Sequence, residues 1–286
     1  MSYFKLLRIN QWYKNLVIFL PLIFAEELFN IDALILSSIG FFVLCFVSSS
    51  AYIINDIVDR NKDRAHPEKR FRSIASGKIG IFKASLTSII LLFIALIIAN
   101  QLNSRFFYAS AGIYIIMFVY SFWLKNEAFA DILTIAVNFV LRAVAGALVI
   151  NVKISPWLIL CTFFLSLFLS IGKRKSDLLL LKDKAIEHKE VFKYYDDKIL
   201  NLLLITSNVT LIISYSLYSF LSNYQLLIIS LPFAAYVIFR YTYFIQKGDI
   251  IARQPGKAIM DKKLVLGIFL WLFSALVIVY QTKIFL

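Results

Sequence analysis

Residues 33–54 read ALILSSIGFFVLCFVSSSAYII, and residues 55–63 follow directly as NDIVDRNKD. The first stretch has the length and apolar composition of a helix that crosses a bilayer, which takes about 20 residues. The second stretch continues this helix into a run of carboxylates at the membrane edge. An apolar span that ends in clustered acids predicts a membrane protein with chemistry at one membrane surface.

The composition extends this prediction to the whole chain. Of the 286 residues, 60% are hydrophobic and 16% are charged, against about 45–50% and about 25% in soluble globular proteins. These values exclude a soluble domain and a disordered chain. They predict an all-α, polytopic membrane helical bundle of about nine transmembrane helices, forming a single integral membrane domain over residues 1–286. The predicted spans are 16–29, 33–54, 81–100, 106–124, 129–149, 156–172, 200–221, 224–245 and 264–281.

The first predicted span also resembles a signal peptide, because it is short and follows basic residues. Glu26 and Glu27 stand where the small residues of a cleavage site would continue. This favours a first helix that is retained and bent at Pro21.

The distribution of basic residues predicts how the bundle is oriented. If all nine spans are present, 26 of the 30 Lys and Arg residues lie at the N-terminus or beside the loops after spans 2, 4, 6 and 8. By the positive-inside rule this side faces the cytoplasm, so we expect a multi-pass protein of the cell (inner) membrane with a cytoplasmic N-terminus. Of the 17 acidic residues, 14 share that side, which indicates a site there. The net charge of +13 therefore needs no nucleic acid to explain it.

Three aspartates follow span 2 at positions that share one helix face. Asp56, Asp59 and Asp63 are spaced by three and four residues, and Asn55 joins their face through Asp59. Stacked carboxylates repel one another unless a cation holds them together, and hard oxygen ligands favour Mg²⁺. The pattern predicts a Mg²⁺ site. The alternative is a solvated loop whose charges pair with each other or with anionic lipid.

Basic residues come directly after these carboxylates. Lys69 offers a point charge to phosphate oxygens, whereas Arg70 and Arg72 offer planar guanidinium groups. Carboxylates followed by such groups are typical of a site in which a metal ion bridges a diphosphate.

A second polar feature lies inside span 5. Asp131, Asn138 and Arg142 share one helix face, and an arginine at the centre of a span costs about 2.5–3.5 kcal/mol on insertion scales. These side chains form either a structural polar seam or the polar end of an active cavity. Lys14 and Lys125 stand at the membrane edge, where lysines ordinarily fix topology.

With these residues, the chain resembles the UbiA-type superfamily of intramembrane prenyltransferases. The superfamily's first signature, N-D-x-x-D-x-x-x-D, is complete here from Asn55 to Asp63. Residues 66–77, HPEKRFRSIASG, resemble the segment H-P-x-K-R-x-R-P-I-A-x-G of the decaprenyl-phosphate (polyprenyl-phosphate) phosphoribosyltransferase branch, with Ser73 in place of proline. Residues 8–15 resemble that branch's R-P-x-Q-W-x-K-N. Further similarity occurs in residues 120–125, 141–146 and 172–174.

The resemblance implies an enzyme that transfers 5-phosphoribose from phosphoribosyl diphosphate to a polyprenyl phosphate and releases diphosphate, with Mg²⁺ as cofactor. Asp56, Asp59 and Asp63 are then the catalytic metal ligands. A homo-oligomer is a possible assembly. The substrate-binding residues that it implies are Lys14, Asn55, His66, Lys69, Arg70, Arg72, Lys125, Arg142, Lys173, Arg174 and Asp177.

Two other functions stay open. Aromatic prenyltransferases of the superfamily, which use a prenyl diphosphate donor, carry a second motif D-x-x-x-D in the loop after span 6. Here Asp177 and Asp183 are six residues apart, which departs from that motif, and Asp177 stands where the phosphoribosyl branch has glutamate. A membrane transporter is the alternative from another class. It is disfavoured because transporters place ionisable residues near the midplane, and here only Arg142 lies deep.

Overall fold

The computed structural model describes residues 2–65, 68–181 and 190–284. Within these ranges the chain is helical and has no strand. Eight helices there are long and apolar enough to cross a membrane. The predicted all-α membrane bundle is therefore confirmed, and its count is close to the nine spans expected.

The helices group into two compact units, each described here by itself. Unit 1 comprises Met1–Thr134 and Val140–Lys153, and unit 2 comprises Ile135–Phe139 and Ile154–Leu286. The helix Ala130–Val149 contributes residues to both units. That all 286 residues act as one domain stays a prediction.

Unit 1 is built around the long helix α3 (Ile31–Val58). This helix packs against α5 (Ile81–Leu102), α6 (Ser104–Phe122) and an N-terminal 3₁₀ helix (Ile9–Phe19). Its core includes the buried side chains of Ile18, Val47, Ala95 and Phe106. In order, its elements are α1 (Ser2–Leu6), a 3₁₀ helix (Ile9–Phe19), α2 (Leu20–Phe24), α3 (Ile31–Val58), α4 (Arg60–Ala65), a 3₁₀ turn (Lys69–Phe71), α5 (Ile81–Leu102), α6 (Ser104–Phe122), a 3₁₀ turn (Leu124–Asn126) and α7 (Ala130–Val149).

In unit 2, α8 (Pro156–Leu181) packs against α9 (Asp197–Leu221), and α10 (Leu231–Gln246) packs against α12 (Lys262–Ile284). In order, its elements are α8 (Pro156–Leu181), a 3₁₀ turn (Glu190–Lys193), α9 (Asp197–Leu221), a 3₁₀ helix (Gln225–Ser230), α10 (Leu231–Gln246), α11 (Ile250–Arg253), a 3₁₀ helix (Pro255–Met260) and α12 (Lys262–Ile284).

The first predicted span, residues 16–29, differs from the structure. These residues form the end of the 3₁₀ helix and the short helix α2, which begins beside Pro21. A 3₁₀ helix rises about 2.0 Å per residue against about 1.5 Å in an α-helix, so Ile9–Phe24 has a contour of roughly 30 Å. This is about the thickness of the hydrocarbon core. The other eight predicted spans each fall on one of the eight long helices.

Polar side chains begin three of the long helices. Asn30 accepts hydrogen bonds from two amides in the first turn of α3, at 3.1 and 3.3 Å. Asn103 and Asp196 accept one amide each at the starts of α6 and α9, both at 2.7 Å. These caps satisfy donors that a helix terminus leaves unpaired.

Gly146 allows α7 to approach the 3₁₀ helix closely. A Cβ atom at this position would lie 2.1 Å from the backbone oxygen of Ile18. Because the contacting atom belongs to the backbone, no side-chain rotation relieves the overlap. Gly146 thereby fixes the position of the segment that carries Lys14 and Asn15.

Gly146→Ala is expected to lower stability by about 1–3 kcal/mol, the range for inserting a group into a packed interior. Thermal unfolding of the purified protein in detergent measures the change. Gly112→Ala is the matched control, because Gly112 also lies in a helix of unit 1 and has no atom within 4 Å of its added Cβ. Equal thermal unfolding midpoints for Gly146→Ala and Gly112→Ala would contradict the close approach of α7 to the 3₁₀ helix.

Candidate active site

The carboxylates after span 2 lie where α3 ends and α4 begins. Asp56 is 4% exposed and Asp63 is 2% exposed, whereas Asp59 caps the C-terminus of α3. The Asp63 amide donates to the Asp59 carbonyl at 2.8 Å, so helical spacing continues through the junction. The Asn55 side-chain amide donates to Asp59 Oδ2 at 3.1 Å, the contact expected from their spacing of four residues.

Arg72 brings two of these carboxylates together. Its Nη1 atom donates to Asp56 Oδ1 at 2.9 Å and to Asp63 Oδ2 at 2.6 Å. One cationic atom thus lies within hydrogen-bonding distance of both acids. Burial raises the pKa of the Asp63 carboxyl, and the nearby Arg72 guanidinium opposes that shift.

Lys125 holds the third carboxylate. Its Nζ atom lies 2.5 Å from Asp59 Oδ1, and both side chains are largely buried. The contact joins the end of α3 to the 3₁₀ turn after α6, 66 positions apart in the sequence. Lys125, predicted as a topology anchor or a phosphate ligand, is therefore also an ion-pair partner within the site.

Arg8 is a site residue that the sequence reasoning missed. Its guanidinium donates to Asp56 Oδ1 and lies 5.0 Å from the centre of the Tyr52 ring. Its backbone has φ of 50° and precedes the 3₁₀ helix in a left-handed conformation. The available signal was its place as the first residue of the stretch 8–15, which resembles R-P-x-Q-W-x-K-N, but no site role was assigned to it.

Asn15 connects the 3₁₀ helix to α3 and α7 and was also missed. It is 1% exposed, and its Oδ1 atom accepts from Arg142 Nε at 2.9 Å and from Ser48 Oγ at 3.2 Å. Arg142 additionally donates to the Met117 sulfur at 3.7 Å. Arg142 thus has hydrogen-bond acceptors within unit 1, and its part in a structural polar seam or at the polar end of an active cavity stays a prediction.

The C-terminal end of the loop that carries the basic run is buried and is hydrogen-bonded to α4. Ile74 and Ala75 are buried, and Arg64 Nε donates to the Ala75 carbonyl at 3.1 Å. Gly77 has φ of +76°, a conformation that glycine adopts without steric cost.

The remaining basic residues of the run differ in their placement. Arg70 is exposed and lies 4.8 Å from the centre of the Phe71 ring, whereas Lys69 is partly buried. His66, a predicted substrate-binding residue, lies outside the described residues.

The predicted residues of the loop after span 6 lie at the end of α8, in unit 2. Arg174 is buried and Lys173 is exposed. Asp177 Oδ1 lies 3.4 Å from Arg253 Nε, so this carboxylate has an ion-pair partner in α11. Asp183 lies outside the described residues.

Lys175 is a buried charge that sequence reasoning passed over. It is 2% exposed, and its Nζ atom donates to Asn201 Oδ1 and lies 3.2 Å from Asp197 Oδ1. Asn201 also accepts from the Gln246 side chain at 3.2 Å. The network joins α8 to α9 and α10, and it fixes the end of the helix that carries Lys173 and Arg174.

The donor set fits a magnesium ion held by two carboxylates. Within residues 2–65, 68–181 and 190–284, no group of three or more His, Cys, Asp and Glu is placed to hold a metal ion. Asp56 and Asp63 nevertheless converge on one cationic atom, and Mg²⁺ typically takes one or two carboxylates and completes its shell with waters and substrate phosphates. That Asp59 is a third ligand stays a prediction.

Comparisons with a family model and with individual known proteins all point to the same family. Residues 16–255 match the model of the UbiA prenyltransferase family. The decaprenyl-phosphate phosphoribosyltransferase of Corynebacterium glutamicum is 31% identical over 295 residues, covering 98% of this chain and 87% of that protein. The protein of the same name from Mycolicibacterium smegmatis is 31% identical over 220 residues, covering 76% of this chain and 69% of that protein.

A solved structure shares the fold. The UbiA homolog from Archaeoglobus fulgidus bound to GPP and Mg²⁺ has a TM-score of 0.72 and 22% sequence identity. The match covers 96% of this chain and 99% of that one.

Proposed function

This chain belongs to the UbiA prenyltransferase family, and from that premise we propose that it transfers 5-phosphoribose from phosphoribosyl diphosphate to a polyprenyl phosphate. The observation that carries the proposal is the similarity to a decaprenyl-phosphate phosphoribosyltransferase along 98% of the chain. A multi-pass membrane transferase follows from the family and the apolar helices. Family membership favours a transferase over a membrane transporter.

The proposed reaction requires charge stabilisation rather than a strong base. An oxygen of the polyprenyl phosphate forms a bond to C1 of the ribose, and the bond from C1 to the diphosphate oxygen breaks. The diphosphate leaves with the electron pair, and the acceptor oxygen is already an anion. Stabilising the negative charge on the leaving group is therefore the main demand, and positioned cations meet it.

Asp56 and Asp63 would hold Mg²⁺, with Asp59 beside them. When bound, the ion supplies a Lewis acid and a template for the diphosphate. The relative from Archaeoglobus fulgidus, which was solved with Mg²⁺, supports this proposal.

Arg8 and Arg72 are proposed to bind the donor phosphates. Both guanidinium groups reach the same oxygen of Asp56, so both would be able to turn to an anion if Asp56 held a metal ion. Planar guanidinium groups bind phosphate oxygens through paired hydrogen bonds. Lys69 and Arg70, from the same loop, add positive charge.

Other residues are proposed to position these groups or to bind phosphate. Lys125 holds Asp59, and Arg142 holds Asn15, which keeps the segment of Arg8 and Lys14 against α3. Lys173 and Arg174 of unit 2 stay candidates for phosphate binding on their charge and on the family resemblance. Asp177 is proposed to hold Arg253.

We further propose that the protein lies in the inner membrane with its N-terminus and the site loops in the cytoplasm. The charge distribution supports this orientation. A homo-oligomer stays a prediction, and so does the absence of a nucleic-acid partner.

A radiolabel assay tests the proposed reaction. Purified protein in detergent is incubated with Mg²⁺, a polyprenyl phosphate and phosphoribosyl diphosphate labelled in the ribose. Label is expected to enter the organic phase in proportion to the diphosphate released. Diphosphate release that does not depend on the lipid, with no labelled lipid, would overturn the proposal.

Removing divalent metal ions is expected to abolish this transfer. EDTA takes away the proposed counter-charge for the diphosphate, and activity should return when Mg²⁺ is added in excess. Activity that persists in EDTA after exhaustive dialysis would contradict the proposed metal site.

The second candidate function is prenyl transfer from a prenyl diphosphate. The fold neighbour bound to GPP favours it, because the same carboxylates and cations would serve a prenyl diphosphate. Transfer from that donor, with none from phosphoribosyl diphosphate, would establish this alternative.

A further inference from the structure

A surface groove lies along the C-terminal part of α10 in unit 2. It has a volume of about 510 Å³ and is lined by Tyr236, Phe239, Arg240, Tyr243 and Lys263. The four residues of α10 are spaced by three, one and three positions, so they form one helix face. Tyr236, Phe239 and Tyr243 are exposed, and the groove therefore opens to the surroundings of the protein.

A second groove lies along the start of α12. It has a volume of about 380 Å³ and is lined by Ile259, Lys262, Val265, Leu266 and Phe269. The four residues of α12 again form one helix face, and all the lining residues are exposed. Each groove therefore combines apolar walls with one of two consecutive lysines.

The charge between the two grooves is positive. Arg240 and Asp261 form a paired contact, with nitrogen–oxygen distances of 2.6 and 2.7 Å. The Arg240 hydrogen bonds lower the pKa of Asp261 to about 2, so this carboxylate stays ionised and neutralises Arg240. Lys262 and Lys263, both exposed, therefore contribute a surplus of two positive charges.

The grooves also lie beside the start of a candidate membrane span. The membrane-spanning part of α12 is Lys262–Gln281, so the two lysines stand at the membrane edge. Val265, Leu266 and Phe269 continue from there into the span. Basic residues at such an edge attract anionic headgroups, and exposed apolar walls below them suit hydrocarbon chains.

We propose that these two grooves bind one anionic glycerophospholipid, with its phosphate at Lys262 and Lys263 and one acyl chain in each groove. Two separate apolar grooves beside one pair of lysines match a lipid that carries two chains for each phosphate. A polyprenyl phosphate has a single chain and would leave one groove empty. The site is independent of the transfer reaction.

Native mass spectrometry of the whole protein in detergent tests the proposal, with phosphatidylglycerol and phosphatidylcholine as probes. The first phosphatidylglycerol is expected to bind at least tenfold more tightly than phosphatidylcholine. The Lys262→Gln/Lys263→Gln variant should reduce this preference to less than twofold. Lys78→Gln/Lys83→Gln, which removes two exposed lysines from unit 1, is the matched control and should keep the full preference.

Val265→Trp tests the contribution of the apolar groove separately from that of the lysine charges. It narrows the groove along α12 and leaves both lysines in place, so it should weaken phosphatidylglycerol binding at least threefold. Thermal unfolding without added lipid verifies that each variant is folded. A tenfold preference retained by the double lysine variant would overturn the proposal. Equal binding of the two lipids by the unaltered protein would also do so, as would displacement of phosphatidylglycerol by an equimolar polyprenyl phosphate.

Discussion

Asp56→Asn is expected to lower the rate of phosphoribosyl transfer about 10³-fold, equivalent to about 4 kcal/mol of transition-state stabilisation. Asp56 is buried and accepts hydrogen bonds from both Arg8 and Arg72. The asparagine side chain carries no negative charge. It would therefore hold the guanidinium groups of Arg8 and Arg72, and the proposed metal ion, much less strongly than Asp56 does. The loss should fall mainly on kcat, because the metal ion and the cations act most strongly on the departing diphosphate.

The control for this variant is Glu127→Gln. Glu127 is an exposed acid of unit 1 close to the site lysine Lys125 in sequence, and its removal should change the rate less than twofold. Both variants are compared after size-exclusion chromatography and thermal unfolding, so that a loss of rate is not a loss of folded protein. A folded Asp56→Asn protein within tenfold of the unaltered rate would refute the role of this carboxylate.

Arg72→Lys is expected to lower kcat/KM for phosphoribosyl diphosphate about 10²-fold. The guanidinium of Arg72 reaches two carboxylates and is proposed to bind the donor phosphates. A lysine keeps the charge but supplies a point charge on a flexible stem instead of a planar group. The KM for the donor should rise more than the KM for the lipid acceptor.

Lys78→Gln serves as the control for Arg72, since it removes an exposed cation from the same loop and should leave kcat/KM within twofold. If Arg72→Lys retains full kcat/KM, the bridging geometry of the guanidinium has no part in donor binding.

The parts of the structure that depend on local pattern were predictable from the sequence. Eight apolar stretches were correctly assigned to the eight long helices, because hydropathy and length decide whether a helix spans a bilayer. The predicted bounds of seven agree to within four residues, whereas α8 ends nine residues beyond its predicted end at residue 172. The spacing of Asn55 and Asp59 predicted their contact, since residues four apart meet on a helix. Residues 16–29 were predicted as one helix bent at Pro21, whereas the structure has the end of a 3₁₀ helix and the short α-helix Leu20–Phe24 there, because hydropathy does not distinguish an α-helix from a 3₁₀ helix.

Contacts between distant parts of the chain were not predictable. Arg8 and Asp56 are 48 positions apart, and Asp59 and Lys125 are 66 apart. Their pairing depends on how the 3₁₀ helix and α6 pack against α3. The sequence therefore predicted the acids and the bases of the site, but not which base neutralises which acid.

The contacts of Lys175 in unit 2 were likewise not predictable from the sequence. Its neighbours Lys173 and Arg174 were singled out by resemblance, whereas Lys175 looked like one more basic residue of the run. Only the packing of α8 against α9 buries it beside Asp197 and Asn201.

A head-to-head donor assay tests the central claim most directly. One preparation of the protein receives Mg²⁺, a polyprenyl phosphate and an aromatic acceptor, together with equal concentrations of phosphoribosyl diphosphate and a prenyl diphosphate, each labelled differently in the group to be transferred. We expect the lipid product to carry the ribose label and the prenyl label to enter no product above background. Prenyl label in product, with no ribose label in lipid, would contradict this claim.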